Sequence, residues 1–222
     1  IIILLLIQIG GLGVITVGAS FALLYRRKIS LMQRTTMQEA IAAPKMGGVV
    51  NLTQFILKAT FCTELLGALC LIPVFVPKYG ARGIWMSVFH SISAFCNAGF
   101  DLMGTKAKPF VSLTSYYWHP GVVIVIMSLI ICGGIGFLTW QDIFIHRLHF
   151  HHYRMQTKVI LFTTAILIIL PAILFYNVDY ANLPEKERLL CSLFQSVTPR
   201  TAGFNTTDYN AMTGSSRAVT RS

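Results

Sequence analysis

Apolar runs long enough to cross a bilayer, which takes about 20 residues, occur four times in the chain: Ile1 to Leu24, about Phe55 to Val76, Pro120 to Trp140 and Lys158 to Tyr176. Each is bounded by charge or by Pro and Gly. Hydrocarbon offers no hydrogen-bond partner to a bare N–H or C=O, so spans of this apolarity are predicted to be helices. Two further runs are too short to span. Ile84 to Phe95 has 12 residues and includes Ser87, His90, Ser91 and Ser93; Leu189 to Val197 is shorter and includes Ser192, Gln195 and Ser196. Runs of this length are re-entrant segments or buried soluble helices. Here each lies between two spans or follows one, and each leads into a small Gly-containing run: CNAGFD, Cys96 to Asp101, and TAGFNT, Thr201 to Thr206.

The pattern repeats. GGLGV at Gly10 to Val14 recurs as GGIGF at Gly133 to Phe137, an offset of 123 that also pairs Thr16 with Thr139 and Phe21 with Phe144. Ala98-Gly99-Phe100 recurs as Ala202-Gly203-Phe204 at an offset of 104, and the pairs Ile72-Pro73 and Leu170-Pro171 mark the two entering helices. Unequal loops absorb the difference of 19. Repeats on this scale signal one supersecondary unit used several times. The predicted organisation is the second helix of one unit and its loop at 1–50 and a complete unit at 51–157. The complete unit has its pore helix and loop at 84–101 and its second helix at 116–140. The front half of a third unit follows at 158–213, with its pore helix and loop at 189–206, and then an atypical polar tail at 214–222. The chain opens inside an apolar span, and the whole reads as an internal fragment. A helix in, a hairpin back and a helix out put both AGF loops on one side of the membrane and both basic loops on the other. The Lys and Arg counts, eight against seven, do not orient the chain under a rule that counts those residues alone.

Composition sharpens this picture. Of 222 residues 55% are apolar and only 12% charged, with mean hydropathy +0.66. That is half the charge of a usual soluble domain and excludes intrinsic disorder. The five cysteines form no CxxC pair, which argues against a disulfide scaffold. The net charge of +10 is concentrated in part between Arg26 and Lys45, as basic loops beside anionic lipid are, and no nucleic-acid module accompanies it. His146, His149, His151 and His152 stand beside Arg147 and Arg154 in what reads as a solvated basic loop rather than a metal site. His90 reads as a packed helix residue, and Glu64, a carboxylate inside the second span, as either functional or hydrogen-bonded in place. The GGxG runs lack the Lys and preceding strand of a phosphate loop and are read as close helix packing through small residues. No GxSxG, HExxH or pair of intramembrane acids points to an enzyme.

The AGF runs carry the candidate chemistry. Non-helical backbone at membrane depth is tolerated only where it is buried or lines water. An extended loop there turns carbonyl oxygens toward an axis, where they replace a cation's hydration shell. Gly99 and Gly203 suit such a loop because they accept φ > 0, and the C-terminus of the preceding half-helix adds partial negative charge. Phe100 and Phe204 are expected to wedge the loops against neighbouring helices. No carboxylate lies within either AGF core, so a monovalent cation is favoured over magnesium or calcium, with potassium the first choice. Asp101 stands at one mouth, where the other loop has Asn205. Transport of another solute, such as sodium, ammonium or an anion, on the same broken-helix repeats stays open.

CNAGFD, PRTAGFN and QIGGLG, set in repeated helix–loop–helix units, resemble the membrane subunit of the Trk/Ktr/HKT potassium transporter superfamily. The run IQIGGLGVIT followed by a basic loop with KISL and QEA is most similar to the Ktr-type subunit. The resemblance implies an all-α membrane protein of repeated helix–pore-loop–helix units, here a fragment of a four-repeat potassium-channel-like fold holding the second and third filter segments. It implies potassium uptake across the cell membrane, sometimes with sodium as coupling ion, no bound cofactor, a homodimer of membrane subunits, and a cytoplasmic RCK-type nucleotide-binding regulatory partner. Its filter positions map onto Asn97, Ala98, Gly99 and Phe100 of one loop and Thr201, Ala202, Gly203 and Phe204 of the next.

Overall fold

The computed structural model describes residues 1–13, 49–104, 111–147, 149–181, 183–199 and 202–205. Among these residues the chain is helical, with no strand. The helices are α1 (Ile2–Leu12), α2 (Val49–Tyr79), α3 (Ala81–Phe95), α4 (Pro120–Gly134), α5 (Phe137–His146), α6 (Met155–Val178) and α7 (Glu185–Val197). Residues 22–48 of the basic loop expected at 22–50, the tail at 214–222 and Thr201 lie outside the described residues, as does the end of the first expected span, and Val49 and Val50 already belong to α2.

Among the described residues two helices, α2 and α6, are long and apolar enough to cross a membrane, and α4 with α5 makes a third if the bent pair is one span. With 31 and 24 residues, α2 and α6 measure about 46 and 36 Å at 1.5 Å per residue, against a hydrocarbon core of about 30 Å. Pro73 and Pro77 lie inside α2 and Pro171 inside α6, as membrane helices allow. By contrast α3 has 15 residues and α7 has 13, about 22 and 20 Å, so neither reaches across. Each is the returning arm of a hairpin. Gly80, at φ 59°, reverses the chain between α2 and α3, and a Cβ at Gly83 would lie 2.6 Å from the Phe75 carbonyl. In the second hairpin Arg188 Nε donates to the Tyr176 carbonyl at 2.7 Å, and its guanidinium lies 3.8 Å from that ring's centre. Glu185 and Glu187 fall in the first turn of α7, where the helix dipole favours negative charge.

The stretch expected as one helix over 116–140 departs from expectation. It is α4 followed by α5, bent by 99° across Gly134–Phe137. Gly136 takes φ 83° and ends the regular hydrogen-bond ladder. Trp140 Nε1 then donates to the Cys132 carbonyl at 2.8 Å, bracing the corner. Gly13, the repeat-equivalent of Gly136, takes φ 82° and ends α1. The last glycine of each GGxG run is thus a break, which apolar periodicity does not register. Beyond the second corner, buried Asp142 accepts the Arg154 backbone N–H at 2.7 Å and ties α5 to the start of α6.

The main core lies among α2, α3, α4 and α7 and includes Leu71, Phe75, Met86, Phe95, Ile126 and Phe194. Ala202 and Phe204 of the second AGF loop belong to the same core. Gly67 makes the packing close: a Cβ there would meet Ser91 Oγ of α3 at 2.5 Å and Leu129 of α4 at 2.7 Å.

Candidate functional site

Each pore helix unwinds at its last turn. In the first, Cys96 N–H still donates to Ile92 and Asn97 N–H to Ala94, and then Ala98 N–H reaches back to Ser93 at 2.9 Å. Asn97 takes φ 51° and Gly99 φ 70°, so the chain leaves the helix at Ala98 and runs on without regular structure. In the second, Thr198 N–H donates to Phe194 and Ala202 N–H to Thr198, after which Gly203 takes φ 72°. Left-handed backbone strains any side-chain-bearing residue, which is why glycine occupies both positions. Neither Ala98–Phe100 nor Gly203–Phe204 is helix.

The two loops meet at these glycines. A Cβ on Gly99 would fall 2.7 Å from the Ala202 carbonyl oxygen and 2.8 Å from Gly203 Cα; one on Gly203 would fall 3.1 Å from Gly99 Cα. Residues 104 apart in the sequence therefore face each other backbone to backbone. Asn97, Ala98 and Gly99 are half-buried, Ala202 is buried, Gly203 is exposed and Thr201 lies outside the described residues.

The closing phenylalanines behave differently from one another. Phe204 is fully buried, its ring 6.5 Å from that of His90 on the preceding unit's pore helix. Phe100 is 53% exposed and does not wedge against a helix among the described residues. Phe204 is covered within the main core, beside the His90 ring of α3. Both phenylalanine carbonyls are engaged from behind. Ser93 Oγ donates to the Phe100 carbonyl at 2.8 Å, and Thr198 Oγ1 donates to that of Phe204 at 2.6 Å.

His90 is a structural residue. It is fully buried, its Nε2 accepts the Leu102 N–H at 3.3 Å, and its Nδ1 lies 2.7 Å from the Met86 carbonyl. An acceptor Nε2 leaves the ring proton on Nδ1, which donates to Met86. Asp101, expected at a mouth, uses Oδ1 to accept the Met103 N–H at 2.9 Å and shapes the turn beyond the loop. Its counterpart Asn205 is held from the preceding unit: its N–H donates to Ser112 Oγ, and its carbonyl accepts the Leu113 N–H, each at 3.0 Å. Ser112 carried no signal in the sequence, because a contact 93 residues away leaves no local pattern.

The GGxG runs grip the start of the first loop from two sides. A Cβ on Gly11 would meet Cys96 Sγ at 2.5 Å, and one on Gly133 would overlap the Phe95 carbonyl oxygen and lie 3.5 Å from Asn97 Nδ2. Close packing through small residues was expected of these runs; its target, the end of a pore helix, was not. In the His-rich loop the His146 and His152 rings stack with centres 6.2 Å apart. Among the described residues no group of three or more His, Cys, Asp or Glu is placed to hold a metal.

Short helices that end in glycine-hinged loops, packed inside apolar helices of spanning length, define a multi-pass membrane protein of the pore-loop class. The family model described as TrkH, cation transport protein, matches residues 2–217. The chain belongs to that family. It is 40% identical to the potassium/sodium uptake protein NtpJ of Enterococcus hirae, over 95% of this chain and 47% of that protein. It is 39% identical to the Ktr system potassium uptake protein B of Bacillus subtilis, over 93% of this chain and 46% of that protein. The protein of the same name from Vibrio alginolyticus is 33% identical, over 96% of this chain and 47% of that protein. The chain thus spans about half the length of the curated relatives it matches.

Proposed function

We propose that this chain supplies two adjacent segments of a selectivity filter in a longer potassium-uptake protein, and that backbone carbonyls of Asn97, Ala98 and Gly99, and of Thr201, Ala202 and Gly203, stand in for the ion's water. The observation that carries this reading is the meeting of the two loops at Gly99 and Gly203, each at the end of a helix too short to span. The C-terminal ends of α3 and α7 bring partial negative charge to the loops. A cation gains there without a fixed carboxylate, which suits a large monovalent ion that sheds water at low cost. The carbonyls of Phe100 and Phe204 already accept a hydroxyl from behind; in this reading they anchor the outer end of each segment and contribute less to the ion than the residues before them.

Sodium enters as a second transported or coupled ion, a reading favoured by the relative named for potassium and sodium uptake. A homodimer of the membrane subunit and a cytoplasmic RCK-type nucleotide-binding regulatory subunit complete the proposal; relatives named as parts of a Ktr system support a multi-component assembly. The test is potassium uptake by the full-length protein in cells lacking their own uptake systems. Gly99→Ser and Gly203→Ser should each reduce uptake or the potassium-to-sodium ratio about tenfold, since ~1.4 kcal/mol of strain or displacement at the filter suffices for that. Variants present in the membrane at normal amounts with unchanged uptake and ratio would remove the basis of the reading.

A further inference from the structure

We infer that Glu64 and Gln8 form a positioning pair for the first of the two loops, a role beyond the filter residues themselves and resting on the pore reading above. Glu64 lies midway along α2, inside the span, and is 6% exposed. Gln8 Nε2 of α1 donates to both its carboxylate oxygens, at 3.0 and 3.1 Å. The Glu64 backbone carbonyl accepts Ser91 Oγ of the pore helix at 2.6 Å. Cys96 Sγ, at the point where that helix unwinds, lies 3.9 Å from Oε1. A carboxylate inside a membrane span is costly to hold and is retained where it has a specific partner.

The geometry shows what the pair holds. Gln8 sits just before the GGLG run, and Gly11 of that run is packed against Cys96. Glu64 therefore touches the pore helix at Ser91 and its C-cap residue at Cys96, while its partner Gln8 belongs to the helix whose Gly11 is packed against the same Cys96. These contacts converge immediately before Asn97–Gly99. A shift of α1 against α2 would reach the loop backbone through a single residue. The amide-to-carboxylate link fixes the distance between the two helices where a merely apolar contact would let them slide, since packed apolar faces lack the directional constraint of a hydrogen bond.

The experiment uses the full-length protein with Glu64→Leu, Gln8→Leu, the double variant and Glu64→Gln. Apparent KM for potassium and the potassium-to-sodium uptake ratio are measured per amount of protein in the membrane. Each Leu variant should change the ratio or KM by at least about fivefold, which corresponds to ~1 kcal/mol of lost hydrogen bonding. The double variant should be no worse than the worse single, because both break the same link. Glu64→Gln, which keeps an acceptor for Gln8, should stay within about twofold of wild type. In parallel, in a background where every other cysteine of the full-length protein is replaced by Ala, maleimide labelling of Cys96 should rise in both Leu variants. Unchanged KM, ratio and labelling in Gln8→Leu overturns the proposal, whether or not Glu64→Leu reaches the membrane. Equal impairment of Glu64→Gln and Glu64→Leu overturns it as well, because charge and not the link would then be the cause. A wild-type protein that takes up no potassium defeats the pore reading instead, and the Cys96 labelling still decides the positioning role.

Discussion

At Ser93, in the last turn of α3, and at Thr198, just past the end of α7, a hydroxyl donates to the carbonyl of the phenylalanine that closes the loop. The two are not equivalent by the AGF offset: Ser93 sits seven residues before its phenylalanine and Thr198 six. The same anchoring is thus reached through different registers, so no repeated motif marks it in the sequence. The Thr198 bond is buried and removes the cost of an unpartnered carbonyl, the Ser93 bond is part-buried, and each fixes the outer end of its loop. Ser93→Ala and Thr198→Val should each lower the potassium-to-sodium ratio of the full-length protein several-fold, about fivefold for ~1 kcal/mol lost, with protein amount in the membrane close to normal. Competitive uptake of potassium against sodium checks this, and ratios equal to wild type in both variants would remove the anchoring role. His90 shows the complementary case. Its place on a short polar-flecked helix suggested packing, and its fully buried ring with both nitrogens engaged agrees.

At the scale of elements, the GGxG runs combine two jobs that one pattern can encode. A glycine early in each run, Gly11 or Gly133, removes a side chain where a helix presses on the end of a pore helix, and the last glycine of each run ends the helix. The closest approach is at Gly133, where a Cβ would overlap the Phe95 carbonyl. Gly133→Ala forces backbone to move and should cost about 1–3 kcal/mol, the range seen for overpacking. Thermal unfolding of the detergent-solubilised full-length protein measures this; an unchanged melting temperature would mean that α4 does not press on the pore helix as described. The 99° corner between α4 and α5 belongs to this scale too. Apolarity runs through the corner without a break, so a hydropathy reading continues the helix, while the backbone turns at Gly136.

For the whole molecule, the relation between units is the informative feature. The loop of the later unit is seated on the earlier one: Phe204 against His90, and Asn205 against Ser112 and Leu113. Applied once backwards, the same relation would seat Phe100 on the pore helix of a preceding unit, which would cover the ring that stands 53% exposed here. In the full-length protein, Phe204→Ala should cost about 3–5 kcal/mol, as expected for a buried phenylalanine, and Phe100→Ala should cost a similar amount. Melting temperatures of the two variants test this. A neutral Phe100→Ala beside a costly Phe204→Ala would show that successive units are not related by one repeated operation.

Much of this architecture is written in one dimension. Bilayer thickness sets a length that α2 and α6 exceed and α3 and α7 do not, and hydrocarbon favours helix in the long apolar runs that the first two occupy; the repeats at Gly10 and Gly133 and at Gly99 and Gly203 suggest the units. Local chemistry was enough for these, because length, apolarity and the need for φ > 0 are properties of single segments. The tertiary structure alone decided which glycine faces which. It decided that Gly99 meets Gly203, that Gly11 and Gly133 close on the end of α3, that Glu64 reaches Gln8, and that Phe204 is covered while Phe100 is not. Those outcomes depend on distances between segments tens of residues apart, set by how side chains from several helices fill one shared volume, and no segment carries that information alone.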